Sequence, residues 1–278
     1  AETTSLTALL FAEVCQQAEL PAGVVNIVTG DGATGAAIVN HPGISKIAFT
    51  GSTAVGQSIR KSTAGQGKKL TLELGGKSAF VVFEDADLDA AVSGAMQSKY
   101  RNAGQTCVCT NRFYVHESLH DAFVEKLSQA SKGLVIGPGL DKGVQLGPLI
   151  DQQAIDKVEQ HVQDAVAKGA RLMTGGKRHA LGGTFYEPTV LAGVKKGMLI
   201  TEEETFGPVA AVIPFTSESE VIQMANDSEF GLASYFYSKD ISRIWRVAEA
   251  LEFGMVGVNT GTISSEVGPF GGVKQSGL

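Results

Sequence analysis

The residues best placed to do chemistry lie in the run Tyr100-Arg101-Asn102-Ala103-Gly104-Gln105-Thr106-Cys107-Val108-Cys109-Thr110-Asn111-Arg112. Small and polar residues here interrupt two well-patterned blocks. Residues 85–98 read as a helix, and Phe113-Tyr114-Val115 reads as a short strand. A cysteine between a helix end and a strand, among Gly and small polar neighbours, is placed for access rather than burial. Its thiolate would attack a carbonyl carbon well, but a free thiol with a pKa of about 8.5 needs help to ionise at neutral pH. The competing reading is a buried, inert Cys, and residue type alone leaves both open.

Other stretches carry weaker signals. Gly30-Asp31-Gly32-Ala33-Thr34-Gly35 is a G-x-G-x-x-G between a strand-like run and a helix. No acid stands about 20 residues on to hold a ribose, so a plain turn or an edge contact with a nucleotide is the better reading. Gly51-Ser52-Thr53 separates a strand (Lys46 to Thr50) from a helix (Val55 to Ser62). Ser52 or Thr53 would cap that helix, and free N–H groups there can bind phosphate. Gly76-Lys77-Ser78 imitates the end of a P-loop, but Thr71 stands where the first Gly must be, which excludes a nucleoside triphosphatase. The five His and three Cys have no metal-ligand spacing, and Cys107-x-Cys109 is too short for a zinc site. Cys15, beside Val14 and Ala18 on a helical face, reads as core.

The elements that must position these residues follow an α/β rhythm. Helices are expected at 6–18, 119–131, 151–167, 218–226 and 241–251. Strands are expected at 24–28, 70–74, 78–83, 209–215 and 234–237, with shorter ones around Leu172 and Phe185 and at Leu199-Ile200-Thr201. Gly makes up 34 of 278 residues, which suits many tight strand-to-helix turns. The chain has 43% apolar and 19% charged residues, so it reads as globular and large enough for two domains. A net charge of −6 gives no footprint for nucleic acid, and no apolar run reaches the roughly 18 residues of a membrane span. Three Cys favour a reducing setting, cytoplasmic or the mitochondrial matrix. The character changes near Gly75: residues 1–75 read as the later part of a nucleotide-binding sheet, and 76–278 as a second α/β domain carrying Cys107.

Several of these motifs resemble the aldehyde dehydrogenase superfamily. Gly104-Gln105-Thr106-Cys107 with Arg112 resembles its nucleophile signature, and Leu72-Glu73-Leu74-Gly75-Gly76-Lys77 its general-base motif, 34 residues earlier. Phe49 to Gly56 is similar to its pyrophosphate segment, Glu204-Thr205-Phe206-Gly207-Pro208 to its ribose-binding element, and Pro269 to Gly277 to its closing motif. Within the superfamily, Tyr100 to Cys109 and Asn259 to Val267 bring the chain nearest to the succinate-semialdehyde dehydrogenases. The resemblance implies an incomplete Rossmann-type cofactor domain followed by a catalytic domain. It also implies NAD or NADP as cofactor, a small aldehyde as substrate, no metal, and a homodimer or homotetramer. By position it makes Cys107 the nucleophile and Glu73 the base. Glu2, Thr50, Gly51, Ser52, Leu74, Glu204 and Phe206 fall at cofactor-binding positions, and Arg101 and Ser264 at the substrate's distal carboxylate.

Three expectations go with this. Glutarate semialdehyde is an alternative substrate, and a catalytically silent relative an alternative role, although the intact Cys107 and Glu73 argue against silence. Cys109 is expected to form a strained, easily reduced disulfide with Cys107. The family's elements upstream of Ala1 and downstream of Leu278 are missing here, so the chain reads as a segment of a longer protein and is expected to be inactive alone.

Overall fold

A parallel sheet needs strands apolar on both faces and crossovers long enough to return the chain to the same edge. Much of this chain is built to that pattern. The computed structural model describes residues 2–278. After a 3₁₀ turn at Glu2–Thr4, the elements are α1 (Ser5–Gln17), α2 (Gly32–Asn40), β1 (Lys46–Thr50), α3 (Thr53–Thr63), β2 (Lys69–Glu73) and β3 (Ser78–Val82). Then come α4 (Leu88–Tyr100), β4 (Thr110–His116), α5 (Glu117–Lys132), α6 (Gln152–Ala167), β5 (Arg171–Thr174), β6 (Thr189–Ala192) and α7 (Leu199–Glu202). The chain closes with β7 (Val209–Phe215), α8 (Glu218–Asn226), β8 (Phe230–Gly231), β9 (Ala233–Tyr237), α9 (Ile241–Ala250), β10 (Met255–Val258) and β11 (Val273–Lys274).

Two compact units result. One comprises the segment ending at Phe49 with Ala54–Thr71; the other comprises Thr50–Thr53 with Leu72–Leu278. In the smaller unit, Asp31 caps α2 by accepting from the N–H groups of Ala33 and Thr34. Its carboxylate therefore already takes two of the N–H groups at the start of this helix. The expected strand at 24–28 is irregular, with Val24, Val25 and Val28 exposed. No strand lies beside it among the described residues, so its backbone has no ladder to join. α1 stops at Gln17, ahead of Pro21, and Glu19 turns the chain at φ 51°. Cys15 is buried as expected, but Val14 is half exposed and does not share its face.

The larger unit holds a seven-stranded sheet in the order β10-β9-β3-β4-β7-β6-β5. All neighbours are parallel except β5 with β6. Its middle strands read as continuous apolar runs because both faces are covered: every residue of β3 and β9 is buried. Phe80 sits at the centre, its ring 5.2 Å from those of Phe113 and Tyr237 on the two flanking strands. Four expectations shift here. The helix expected from Asp85 begins at Leu88 with Asp87 as cap, because Asp85 instead accepts from the N–H groups of Lys239 and Asp240 and pairs with Arg243. Around Phe185 there is only a single bridge, Tyr186 with Arg178. Residues 199–202 form one helical turn rather than a strand. β6 and β10, which the pattern missed, are short pieces that gain strand character only by pairing with β7 and β9.

Parallel pairing has one consequence for function. Because β3, β4 and β7 run the same way, the segments that precede them emerge on one edge of the sheet. Residues 73–77, 105–109 and 203–208 are those segments.

Candidate active site

Cys107 lies in a turn just before β4, half-buried, closed by the Cys109 N–H donating 3.0 Å to the Thr106 carbonyl. Ahead of it Asn102, Ala103 and Gly104 have φ of 52°, 55° and 75°, a left-handed reversal that only the Gly adopts freely. Two close approaches hold this turn. A Cβ on Gly76 would collide with the Cys107 carbonyl, and one on Gly104 with the Gly207 carbonyl. Side chains complete the hold: Tyr235 Oη donates 2.8 Å to the Val108 carbonyl, and Asn111 Nδ2 donates 3.0 Å to that of Cys109. Gln105 reaches the neighbouring loop, where its Oε1 accepts from the Ile150 N–H at 2.8 Å.

Glu73 ends β2 and is gripped by backbone on both sides. Its carbonyl accepts from the Gly51 N–H at 3.0 Å, which brings the 50–53 turn alongside. The C-terminal residues run antiparallel to it, with Leu72 and Leu278 exchanging hydrogen bonds and the Leu74 N–H donating 2.9 Å to the Ser276 carbonyl. Ser276 Oγ also donates 2.7 Å to the Gly75 carbonyl. The side chain is free by contrast: Glu73 Oε2 is buried without a hydrogen-bond partner. Burial raises its carboxyl above the ordinary value, the direction that makes a carboxylate a stronger base.

Glu204 is the second carboxylate near the thiol. Its Oε1 accepts from the Gly76 N–H at 3.1 Å. Burial raises its pKa, opposed by that N–H and by the charges of Lys157, Lys77 and Lys99. Burial also pushes the Cys107 thiol up, and the Glu204 and Glu73 charges push the same way. Cys107 is therefore held as a thiol here, and a base or an arriving positive charge must ionise it.

The structure brings Cys107, Glu73, Leu74, Glu204 and the 50–53 turn together through these contacts. Thr50, Gly51 and Ser52 are exposed. Phe206, at φ 54° and 39% exposed, is held outward beside buried Thr205. Arg101 is exposed, and among the described residues its guanidinium makes no hydrogen bond or ion pair. Ser264 lies in an exposed loop after β10, anchored where Gly261 meets Gly94 on α4, the helix that leads to Arg101. Glu2 sits exposed in the smaller unit. Cys107 and Cys109 are both free thiols; Cys109 is 2% exposed, with Sγ 2.6 Å from Thr106 Oγ1. Among the described residues, no group of three His, Cys, Asp or Glu could hold a metal, and no helix is long and apolar enough to cross a membrane.

Sequence reasoning passed over the supporting residues. Lys77 is 1% exposed and donates to the Ile200 and Glu203 carbonyls. Lys99 is fully buried and donates 2.7 Å to the Thr110 carbonyl. Burial lowers both pKa values. A lysine next to an apolar strand, as in Gly76-Lys77-Ser78-Ala79-Phe80, was the available signal.

The residues present suit a dinucleotide. Thr53 Oγ1 is buried with no partner. A Cβ on Gly75 would sit 2.9 Å from Glu204 Oε2 and 3.2 Å from Thr53 Oγ1. The bare backbone of Gly75 leaves room for a sugar, the Glu204 carboxylate can accept from ribose hydroxyls, and the orphaned Thr53 hydroxyl can accept from or donate to them.

Comparison with known proteins bears on the same residues. The profile of the aldehyde dehydrogenase family matches residues 1–278. Glutarate-semialdehyde dehydrogenase of Pseudomonas aeruginosa is 56% identical over the whole chain, 3-sulfolactaldehyde dehydrogenase of Pseudomonas putida 55%, and succinate-semialdehyde dehydrogenase [NADP(+)] of Escherichia coli 54%. The chain spans only 57–58% of the length of these relatives. The crystal structure of succinate-semialdehyde dehydrogenase from Burkholderia pseudomallei, 60% identical, superposes with a TM-score of 0.98, covering all of this chain and 58% of that one. An NAD+ complex of an aldehyde dehydrogenase from Bacillus cereus, 41% identical, gives 0.96 with 100% and 57% coverage.

Proposed function

Because the chain belongs to the aldehyde dehydrogenase family, we propose that the protein carrying it oxidises an aldehyde to a carboxylate with NAD or NADP, Cys107 being the nucleophile. One observation carries this reading: a half-buried thiol stands in a turn packed against Gly76, on the segment that follows Glu73, whose carboxylate has a buried oxygen that nothing else engages.

Cys107 adds through sulfur to the aldehyde carbon, and its proton passes to solvent or to Glu73. The Cys107 backbone N–H, which favours the ionised sulfur, would donate to the oxyanion that forms. NAD+ or NADP+, held by the residues named below, would supply the hydride acceptor by which the thiohemiacetal on Cys107 is oxidised to a thioester. Glu73 then takes a proton from water as the water attacks the thioester, releasing the acid and restoring the thiol. Thr50, Gly51, Ser52, Leu74, Glu204 and Phe206 would hold the cofactor, residues up to 75 forming its domain, with Glu2 at its outer end.

Arg101 and Ser264 select the substrate. An exposed guanidinium with no partner of its own suits a distal acid group, and a hydroxyl adds a neutral donor. Succinic semialdehyde is the first choice. The 56%-identical relative named for glutarate semialdehyde supports a second, one carbon longer. A soluble homodimer or homotetramer in the cytoplasm or mitochondrial matrix completes the reading.

The test is reduction of NAD+ and NADP+ by the full-length protein with succinic semialdehyde, glutaric semialdehyde and butanal. Turnover with the two acids that is lost in Cys107→Ser supports the proposal. Equal turnover of butanal removes the role of Arg101, and turnover surviving in Cys107→Ser removes the mechanism.

A further inference from the structure

Glu204 stands in a loop whose backbone is held by side chains from three other segments. Lys77 Nζ donates to the carbonyl of Glu203 and, at 2.8 Å, to that of Ile200. Lys157 Nζ, on α6, donates 2.6 Å to the carbonyl of Glu204. The Thr205 N–H donates 3.2 Å to Asn111 Oδ1, on the strand that follows Cys107. One turn beyond Lys157, on the same face of α6, His161 Nδ1 lies 3.2 Å from Thr205 Oγ1 and its Nε2 lies 3.4 Å from Glu203 Oε2.

These contacts have a simple geometric meaning. The carbonyl of Glu203 belongs to the peptide plane before the Glu204 Cα. The carbonyl of Glu204 and the N–H of Thr205 belong to the plane after it. Planar peptides leave φ and ψ as the only soft backbone angles at a residue. Pinning the plane on each side therefore fixes both angles at Glu204. With the backbone fixed, the carboxylate has only its own side-chain torsions to search, and one oxygen is already on the Gly76 N–H. The next residue, Phe206, is held at φ 54°, a conformation a free loop would leave.

We propose that Lys77 and Lys157 are positioning residues that lock the backbone of Glu204, so that its carboxylate is preset for the nicotinamide ribose of the cofactor. The inference rests on the reading of Glu204 as a ribose-binding residue given above. Lys77 is built for this and little else: a lysine 1% exposed that bonds to carbonyls rather than to a carboxylate contributes little net stability. Lys157 is the better residue to test, since it is only half-buried and its removal leaves the core intact.

The experiment titrates NADH and NADPH into the full-length protein by calorimetry, with kinetics and thermal midpoints alongside. Lys157→Met keeps the length of the side chain and removes the donor. It should weaken cofactor binding about tenfold, the range of one lost charge-assisted hydrogen bond, while the KM for aldehyde changes less than about twofold. Lys157→Arg, which can still donate, should recover most of the affinity. Arg178→Gln serves as the control, since Arg178 binds Asp156 and Glu159 elsewhere on α6 and should leave affinity unchanged. Equal binding by Lys157→Met and wild type overturns the inference, as does an equal loss in Arg178→Gln, which would make α6 a mere scaffold. A wild-type protein that binds neither nucleotide overturns the functional reading itself, and this inference with it.

Discussion

Replacing Glu73 with Gln should stabilise the folded protein at neutral pH and, in the same molecule, stop catalysis after one turnover. Glu73 Oε2 is buried and unpaired. A buried polar atom without a partner costs about 1–3 kcal/mol, and more when charged. Gln keeps the shape but still leaves an amide atom poorly paired, so the net gain should be about 1 kcal/mol, or about 2–4 °C in Tm. Burial raises the Glu73 carboxyl, so the folded protein holds this proton more tightly than the unfolded chain does. The cost of Glu73 is therefore absent below its unfolded pKa of about 4.3 and grows as the pH rises through the higher folded value. The advantage of Gln should follow the same course, clear at neutral pH and gone below about pH 4. In catalysis, loss of the general base should slow thioester hydrolysis by about 10²–10⁴-fold. Rapid mixing with aldehyde and NAD(P)+ should then show one equivalent of reduced nicotinamide per active site, followed by a nearly flat line. A Gln variant that is less stable at neutral pH would refute the argument from burial. A steady-state rate within tenfold of wild type would refute the role as base.

Gly76→Ala would drive a Cβ into the Cys107 carbonyl; it should cost about 1–3 kcal/mol in a denaturant melt and alter the rate of Cys107 alkylation. Arg101→Ala should lower kcat/KM for succinic semialdehyde and spare butanal. Since Arg101 is exposed, the loss should lie near the lower end for a paired charge, about 30-fold, and equal losses for both aldehydes would leave Arg101 only a brace for the loop. Cys109 is buried with its thiol on Thr106, so a disulfide with Cys107 requires the turn to open. Wild type oxidised by peroxide should recover with dithiothreitol, and Cys109→Ala should recover less.

The sequence made the long amphipathic and buried elements legible because each carries its own signal. α8 was read to the residue, and α6 to within its Asp151 cap, because acid or hydroxyl caps and apolar periodicity coincide there. The failures have a common cause. β6 and β10 are four residues long, and the run at 24–28 looks like a strand but finds no neighbour. In each case pairing rather than composition decides the outcome. Asp85 misled for a similar reason: it looks like a first-turn acid, while its partners lie more than 150 residues away in the chain.

For the candidate site, the residues proposed to do the chemistry stand out as motifs, whereas the devices that hold them do not. A motif records which atoms are needed, and the hold depends on where other segments pass. Gly104 illustrates this. The Gly207 carbonyl occupies the space where its Cβ would stand, so the turn before Cys107 and the loop after Glu204 interlock through one glycine. Each side of that lock carries non-glycine residues in the left-handed region, Asn102 and Ala103 on one side and Phe206 on the other. Such conformations cost about 1–3 kcal/mol apiece and persist only where surrounding structure over-determines them. Here the surroundings are Asn111 and Lys77, which tie the loops to the sheet edge, and Lys157, which ties the Glu204 loop to α6. Strain concentrated on the two loops that carry Cys107 and Glu204 means that neither can relax without moving the other. The thiol and the carboxylate are thus held as one unit, set before any ligand arrives.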